Sequence, residues 1–386
     1  MNIENEKHTL ESLLQTVRDQ SARKVDYVAQ TDSLKVRTDG FTKKTQVFLE
    51  GVRGEPTKIL TANGVAFDQM VTKAGVDVRT GRRLQQEYPD VLDHLMNRIH
   101  TQESRSAMLR TFDGDTSAAG DATHGTLRAV VSDKFKTFDN PDLLESVLPT
   151  LIESDADWEI VNAAVTDKRL YARFKSRLMT GTAAGVGDVM AQGVVISNSE
   201  TGHGSVQVAQ LLWTLACLNG MQTANKNRTA HLTSSRSDGD TWAMLTDESK
   251  RLDNAALSSK LKDITAAYAS RDMFESVLEQ FRLAAGDIVE NGMAAAQPAV
   301  NALGGILKLS KAETSSVLDG LMQTIQQDGY RGEPLSRATM VNAVTAAAHK
   351  ADADSVSDWQ VLGGKVLDLP ANQWQAIASV PVAVAA

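Results

Sequence analysis

Apolar positions recur along this chain with two different periods. Leu10, Leu13, Leu14 and Val17 fall three and four residues apart, the spacing of one helix face, and predict an N-terminal amphipathic helix. Leu34 with Val36 and Val47 with Leu49 alternate instead. They predict two half-buried strands whose other face is rich in Lys and Thr. Leu84, Tyr88, Val91, Leu92, Leu95 and Ile99 return to the helical period, with Pro89 either in the first turn of that helix or ending the piece before it. Residues 112–125 (FDGDTSAAGDATHG) read as a flexible loop by composition.

In the middle of the chain, 142–152 is helical in pattern apart from Pro149. Residues 158–165, 169–177 and 189–197 form three extended runs, most economically an antiparallel meander. Gly202-His203-Gly204-Ser205 opens an apolar run over 206–218 that ends at Asn219-Gly220. This predicts a helix with Ser205 as N-cap. Residues 224–240 are polar and loop-like. Beyond Trp242 the pattern is helical, notably over 257–283, 312–327 and 338–350. The expected fold class is therefore α+β: a meander with packed helices over 1–240, then a mostly helical region over 241–386 suited to oligomerisation. The small apolar tail at 380–386 either frays or docks on a neighbouring subunit.

Composition narrows the function classes. The chain has 386 residues, 42% of them hydrophobic and 23% charged, which is ordinary for a folded domain. No run approaches a membrane span and the first nine residues are polar, so a cytoplasmic protein is expected. One cysteine, Cys217, excludes an internal disulfide and reads as a small core residue. The net charge is −8. Up to residue 240 there are 28 basic and 31 acidic residues, with 12 and 17 after it. Neither part is basic, so any polyanion site has to be a local stripe.

The clearest such stripe is Lys168-Arg169-Leu170-Tyr171-Ala172-Arg173-Phe174-Lys175-Ser176-Arg177. On a strand, Arg169, Tyr171, Arg173, Lys175 and Arg177 share one face. Cations tracking phosphates beside one stacking ring suit a single-stranded nucleic acid. The competing reading is a solvated face balanced by Glu159 on the adjacent strand. Arg128, Lys134 and Lys136 form a weaker second group, diluted by Asp133 and Asp139, and Lys226, Arg228, His231 and Arg236 decorate the polar loop. Gly202-x-Gly204 resembles a phosphate turn but lacks the third glycine and has Glu200 beside it, so tight-turn chemistry is the better reading.

Known catalytic and metal patterns are not matched. Gly181–Gly187 is not followed by Lys-Ser/Thr, no H-E-x-x-H or G-x-S-x-G occurs, and Asp113, Asp115, Ser117 and Asp121 fail as a calcium loop at Ala118 and His124. Asp352, Asp354 and Asp358 read as helix-start and loop carboxylates. No cofactor, metal or catalytic residue is expected.

Several segments in order, Ala66 to Val71 with Arg83 to Ile99, Leu109-Arg110-Thr111, Arg128 to Phe135, Phe138-Asp139-Asn140, Ser197 to Gly202 and Cys217 to Met221, resemble the phage/plasmid-like protein family, a domain-of-unknown-function family of mobile elements. The resemblance covers, with gaps, about residues 60 to 235. Val341 to Val344 and Leu362 to Leu367 look like its C-terminal part. It implies a phage, prophage or plasmid setting and no assigned reaction. Asn198, Ser199, Glu200, Gly202, Asn219 and Gly220 are then either ligand-facing or turn and cap devices.

The leading expectation is a non-enzymatic, homo-oligomeric single-stranded-DNA-binding protein of a mobile element, of the kind that anneals strands without ATP. The alternatives are an assembly protein that does not touch nucleic acid, and an enzyme with an unrecognised site around Asn198, Glu200 and His203.

Overall fold

A computed structural model of the chain describes residues 9–50, 57–114, 124–183, 189–214, 219–223, 245–327, 330 and 332–382. The expected N-terminal helix is α1 (Leu10–Arg23), capped by Thr9 and burying Leu13 and Val17. Strands β1 (Lys24–Gln30), β2 (Leu34–Thr38), β3 (Thr45–Leu49) and β4 (Lys58–Ala62) follow. Three helices come next: α2 (Gly64–Lys73), α3 (Val78–Glu87) and α4 (Pro89–Gln102). Pro89 lies in the first turn of α4 and separates it from α3, because a proline is tolerated where no amide partner is needed. β5 (Ser106–Asp113) and β6 (His124–Ser132) complete a first sheet of order β1-β5-β6-β4-β3-β2, antiparallel except for the β4–β6 pair. The strands reach into both ends of the expected 112–125 loop, whose middle, with Asp115, Ser117 and Asp121, lies outside the described residues.

Alternation gives this sheet two unlike faces. Leu34, Val36, Val47, Leu49, Leu60, Leu109 and Leu127 point inward and pack with Phe67, Val71, Leu92 and Met96 of α2 and α4. α4 also guards the edge strand: Val36 N–H donates to Asn97 Oδ1 at 2.8 Å, Asn97 Nδ2 donates to the Val36 carbonyl at 2.8 Å, and Thr38 N–H donates to Asp93 Oδ2 at 2.8 Å. Side chains thereby occupy the groups through which an open edge would recruit another strand.

α5 (Asn140–Glu153), which keeps Pro149 inside it, leads into the second sheet. The expected three-strand meander is there as β7 (Trp158–Val165), β8 (Leu170–Thr182) and β9 (Val189–Asn198), and it continues through β10 (Gln207–Thr214) and β11 (Asn219–Gln222). The helix expected over 206–218 is therefore a strand where it is described. Gln207 to Thr214 pair in register with Ser197 to Met190. An apolar run buried on both faces carries no period that separates strand from helix. Asn219-Gly220 accordingly begins β11 and does not stop a helix; Cys217 and the cations Lys226, Arg228, His231 and Arg236 lie outside the described residues.

The described residues from 247 onward are mostly helical: α6 (Asp247–Tyr268), α7 (Arg271–Gly286), α8 (Ala296–Leu307), α9 (Lys311–Thr324), α10 (Arg337–Ala346), α11 (Ala353–Leu367) and α12 (Ala371–Ala378). α6 packs with α1, α5 and the second sheet, while α7 to α12 share another core with that sheet, in which Met190, Leu212 and Met221 meet Phe274, Leu278, Val341 and Val366. Val380 belongs to that same core and Val382 packs against it. The start of the apolar tail thus docks on its own chain; residues 383–386 lie outside the described ones. Among the described residues, no helix is long and apolar enough to cross a membrane.

Candidate functional site

The cationic stripe of β8 is not an open face. Tyr171 and Arg173 are 2% and 3% exposed because α11 packs over them. Arg173 Nε donates to Gln360 Oε1 at 3.1 Å and Nη2 to Ser357 Oγ at 2.8 Å, both on α11, while Nη1 donates to Asn162 Oδ1 at 3.3 Å. All three partners are neutral, and burial pushes its pKa down to about 10. Arg169 is turned onto the His203 carbonyl. Its guanidinium lies where a Cβ at Gly204 would stand, which is why that position, at φ +148°, takes glycine. Lys175 pairs with Glu159 at 2.7 Å, and Arg177 pairs with Glu159 at 2.9 Å and Asp157 at 3.6 Å. The Lys175 hydrogen bond, helped by Arg177, holds the Glu159 carboxyl below its ordinary range. Lys168 is exposed and lies 3.9 Å from Asp354. The stripe is thus divided between core contacts and ion pairs with β7.

The second basic group is likewise dispersed. Lys136 pairs with Asp253 of α6, and Lys134 is half-buried in the turn after β6. Arg128 is buried and belongs to an ion-pair node that joins the two sheets. Glu200, in the turn after β9, accepts from Lys24, from Arg128 Nη2 at 2.7 Å and from the Asn140 N–H at 2.8 Å. Arg110, 1% exposed, donates to Asp26 at 3.1 Å, to both oxygens of Asp139 at 2.7 and 3.0 Å, and to the Glu200 carbonyl at 2.9 Å. Burial opposes charge on Glu200, but Lys24 and Arg128 outweigh it and hold its pKa below the ordinary value. Asn198 donates to the Phe138 carbonyl and to Asn140, and Ser199 donates to the Lys168 carbonyl. Gly202, at φ +79°, packs near Val131 and Phe135, and Gly220 lies against Gln360 and Leu211. The Asn198-to-Gly202 segment is therefore a clamp whose polar groups are engaged inside the fold. A lone arginine inside each apolar strand run, at Arg110 and at Arg128, was the sequence signal for it.

The open surface is the outer face of the first sheet at β2, β3 and β4, away from the node that covers β5 and β6. Register places Lys35 beside Phe48 and Ile59, and Arg37 beside Gln46 and Thr61. Lys35 and Arg37 are exposed and the other four are half-buried. Lys35, Arg37 and Phe48 line an open groove of about 620 Å³ together with Asn97 and Thr101 of α4 and the carboxylates Asp32 and Glu50. At the β2–β3 tip, Asp39 accepts from the Phe41 and Thr42 amides and the Thr42 hydroxyl. These bonds close the turn and keep the Asp39 carboxyl below its ordinary pKa. Phe41 is left 95% exposed beside Lys43 and Lys44. From Leu34 to Leu49 the chain carries four basic residues and one acidic. Lys35 pairs with Glu50; Arg37, Lys43 and Lys44 form no ion pair among the described residues.

With that geometry in view, one comparison is informative. Residues 128–273 match the family described as a domain of unknown function, DUF932. The DUF932 segment takes in α5, the second sheet and α6, together with Arg128, Asp139 and Glu200 of the node. The β2–β3 hairpin, Lys24, Asp26 and Arg110 lie before it. No curated protein and no solved structure matches the chain.

Proposed function

We propose that the protein binds single-stranded nucleic acid across the outer face of its first sheet, with the β2–β3 hairpin as the leading contact. The observation that carries this reading is the hairpin itself: an acidic protein places on one hairpin three cations, Arg37, Lys43 and Lys44, that form no ion pair among the described residues, together with an aromatic ring, Phe41, with almost no cover. Cations that track a phosphate backbone beside a ring free to stack on any base make a sequence-tolerant single-strand site. A cationic two-stranded ribbon can also enter a duplex groove, but base stacking needs unpaired bases, so the exposed ring favours a single strand. Holding a strand extended with its base edges outward would let pairing proceed without ATP, which is the annealing role. We extend the proposal to a mobile element in the bacterial cytoplasm, with several copies acting along one strand; the resemblance to phage/plasmid-like proteins supports that setting.

Fluorescence anisotropy with a labelled oligonucleotide over a salt series is the test. Affinity should fall with salt, with a slope of about −0.7 per phosphate contacted. Replacing Arg37, Lys43 and Lys44 by Ala should flatten that slope by about 2. Absent binding, salt-independent binding or an unchanged slope in the triple variant would refute the proposal.

A further inference from the structure

On the inner side of the same sheet, where α2 and α4 end, lies a recess of about 150 Å³ lined by Thr31, Lys73, His100, Glu103, Arg105, Ser106 and Ser132, among others. Beneath it is an apolar cavity of about 30 Å³ between Leu34, Met70, Leu109 and Leu127, and His100 lines both. The His100 ring is 9% exposed, and its Nδ1 is buried without a hydrogen-bond partner. A buried polar atom left unpaired in a cavity wall calls for an explanation. Burial holds the imidazole pKa below its ordinary value, against the opposing pull of the Leu34 backbone, and so favours the neutral ring. The charged groups facing it are Lys73 at the end of α2, Glu103 at the end of α4 and Arg105 before β5. Glu103 pairs with Arg105 at 2.8 Å, and Lys73 makes no ion pair among the described residues. The recess therefore carries one net positive charge at its rim and the buried His100 ring in its wall.

We infer that this recess binds a small tetrahedral oxyanion, sulfate or a phosphate group, with Lys73 and Arg105 at the rim and the His100 ring, once protonated, adding a further positive charge from the wall. Binding takes up a proton: the anion stabilises the imidazolium that burial alone disfavours, so affinity rises as pH falls. The site is separate from the sheet's outer face, and it stands or falls independently of oligonucleotide binding there.

The test titrates the full chain with inorganic sulfate, whose charge is constant between pH 6 and 8, and follows the His100 ring by NMR, assigned by loss of its signal in His100→Gln. The expected result is a saturable shift of that signal, with binding at least about fivefold tighter at pH 6 than at pH 8. A Lys73→Ala/Arg105→Ala variant, altered only at the rim, should bind at least about tenfold more weakly with an unchanged melting temperature. A second arm compares a 5′-phosphorylated trinucleotide with its unphosphorylated form; preference for the first supports an oxyanion site that a strand terminus can fill. No saturable shift, equal affinity at the two pH values, or an unaltered response in the double variant overturns the inference.

Discussion

β8 and the β2–β3 hairpin begin from the same sequence pattern, cations alternating with apolar residues, and end in opposite environments. In β8, Arg173 is 3% exposed under α11 and Lys175 and Arg177 are occupied by β7 carboxylates. In the hairpin, Arg37 is exposed and Phe41 stands 95% free. Alternation says that a strand has two faces; what covers each face is decided elsewhere. For β8 the cover comes from Ser357 and Gln360, more than 180 residues downstream. For the hairpin, α2 and α4 take the apolar face and nothing described takes the other.

The difference can be broken most forcefully at the node that joins the sheets. Glu200→Ala leaves Arg128 buried without its carboxylate and Lys24 with only Asp139, 3.5 Å away, and should cost about 3–5 kcal/mol in urea unfolding. The wild type should also be acid-sensitive in a defined direction. Because the Glu200 pKa is lowered on folding, its contribution is full above the unfolded glutamate value of about 4.3 and is lost as pH falls through the folded value. Glu200→Gln should flatten that acid limb.

Next in size is the buried end of β8. Arg173→Ala opens a cavity and removes the guanidinium donor from Ser357 and Gln360, at a cost of about 2–3 kcal/mol. Arg173→Met fills the volume without a charge to desolvate and should cost less. Neither should change oligonucleotide affinity of the folded protein; a loss in both would return the β8 stripe to the binding surface. At the hairpin, Phe41→Ala should leave stability within about 0.5 kcal/mol and weaken oligonucleotide binding by about 1–3 kcal/mol, the worth of one stacked base. An unchanged Kd would remove the ring from the interface. The smallest effect belongs to the exposed pair of Arg177 and Glu159, where Arg177→Ala should cost below about 1 kcal/mol in chemical denaturation.

Local signals were enough for α1, for β2 and β3, for the proline boundary between α3 and α4 and for the meander, since each rests on period and punctuation within a short window. They failed at β10, where Val208, Ala209, Leu211 and Leu212 are buried on both faces and lose their period. They also failed for the site. The face of β8 is covered by a helix from the far end of the chain, and the node draws Lys24, Arg110, Arg128, Asp139 and Glu200 from five separate segments. Lys35 and Arg37 on the outer face of β2 were visible in the sequence, but Thr38 and Thr45, expected on that face too, lie on the buried one, and the openness of the outer face follows only from where α2 and α4 pack.

Lysine acetylation footprinting of the full chain with and without a single-stranded oligonucleotide tests the central claim in one measurement. The account predicts that Lys35, Lys43 and Lys44 lose reactivity on binding while Lys168 and Lys175 are unaffected. Protection of Lys168 and Lys175 with the hairpin lysines unchanged would contradict it.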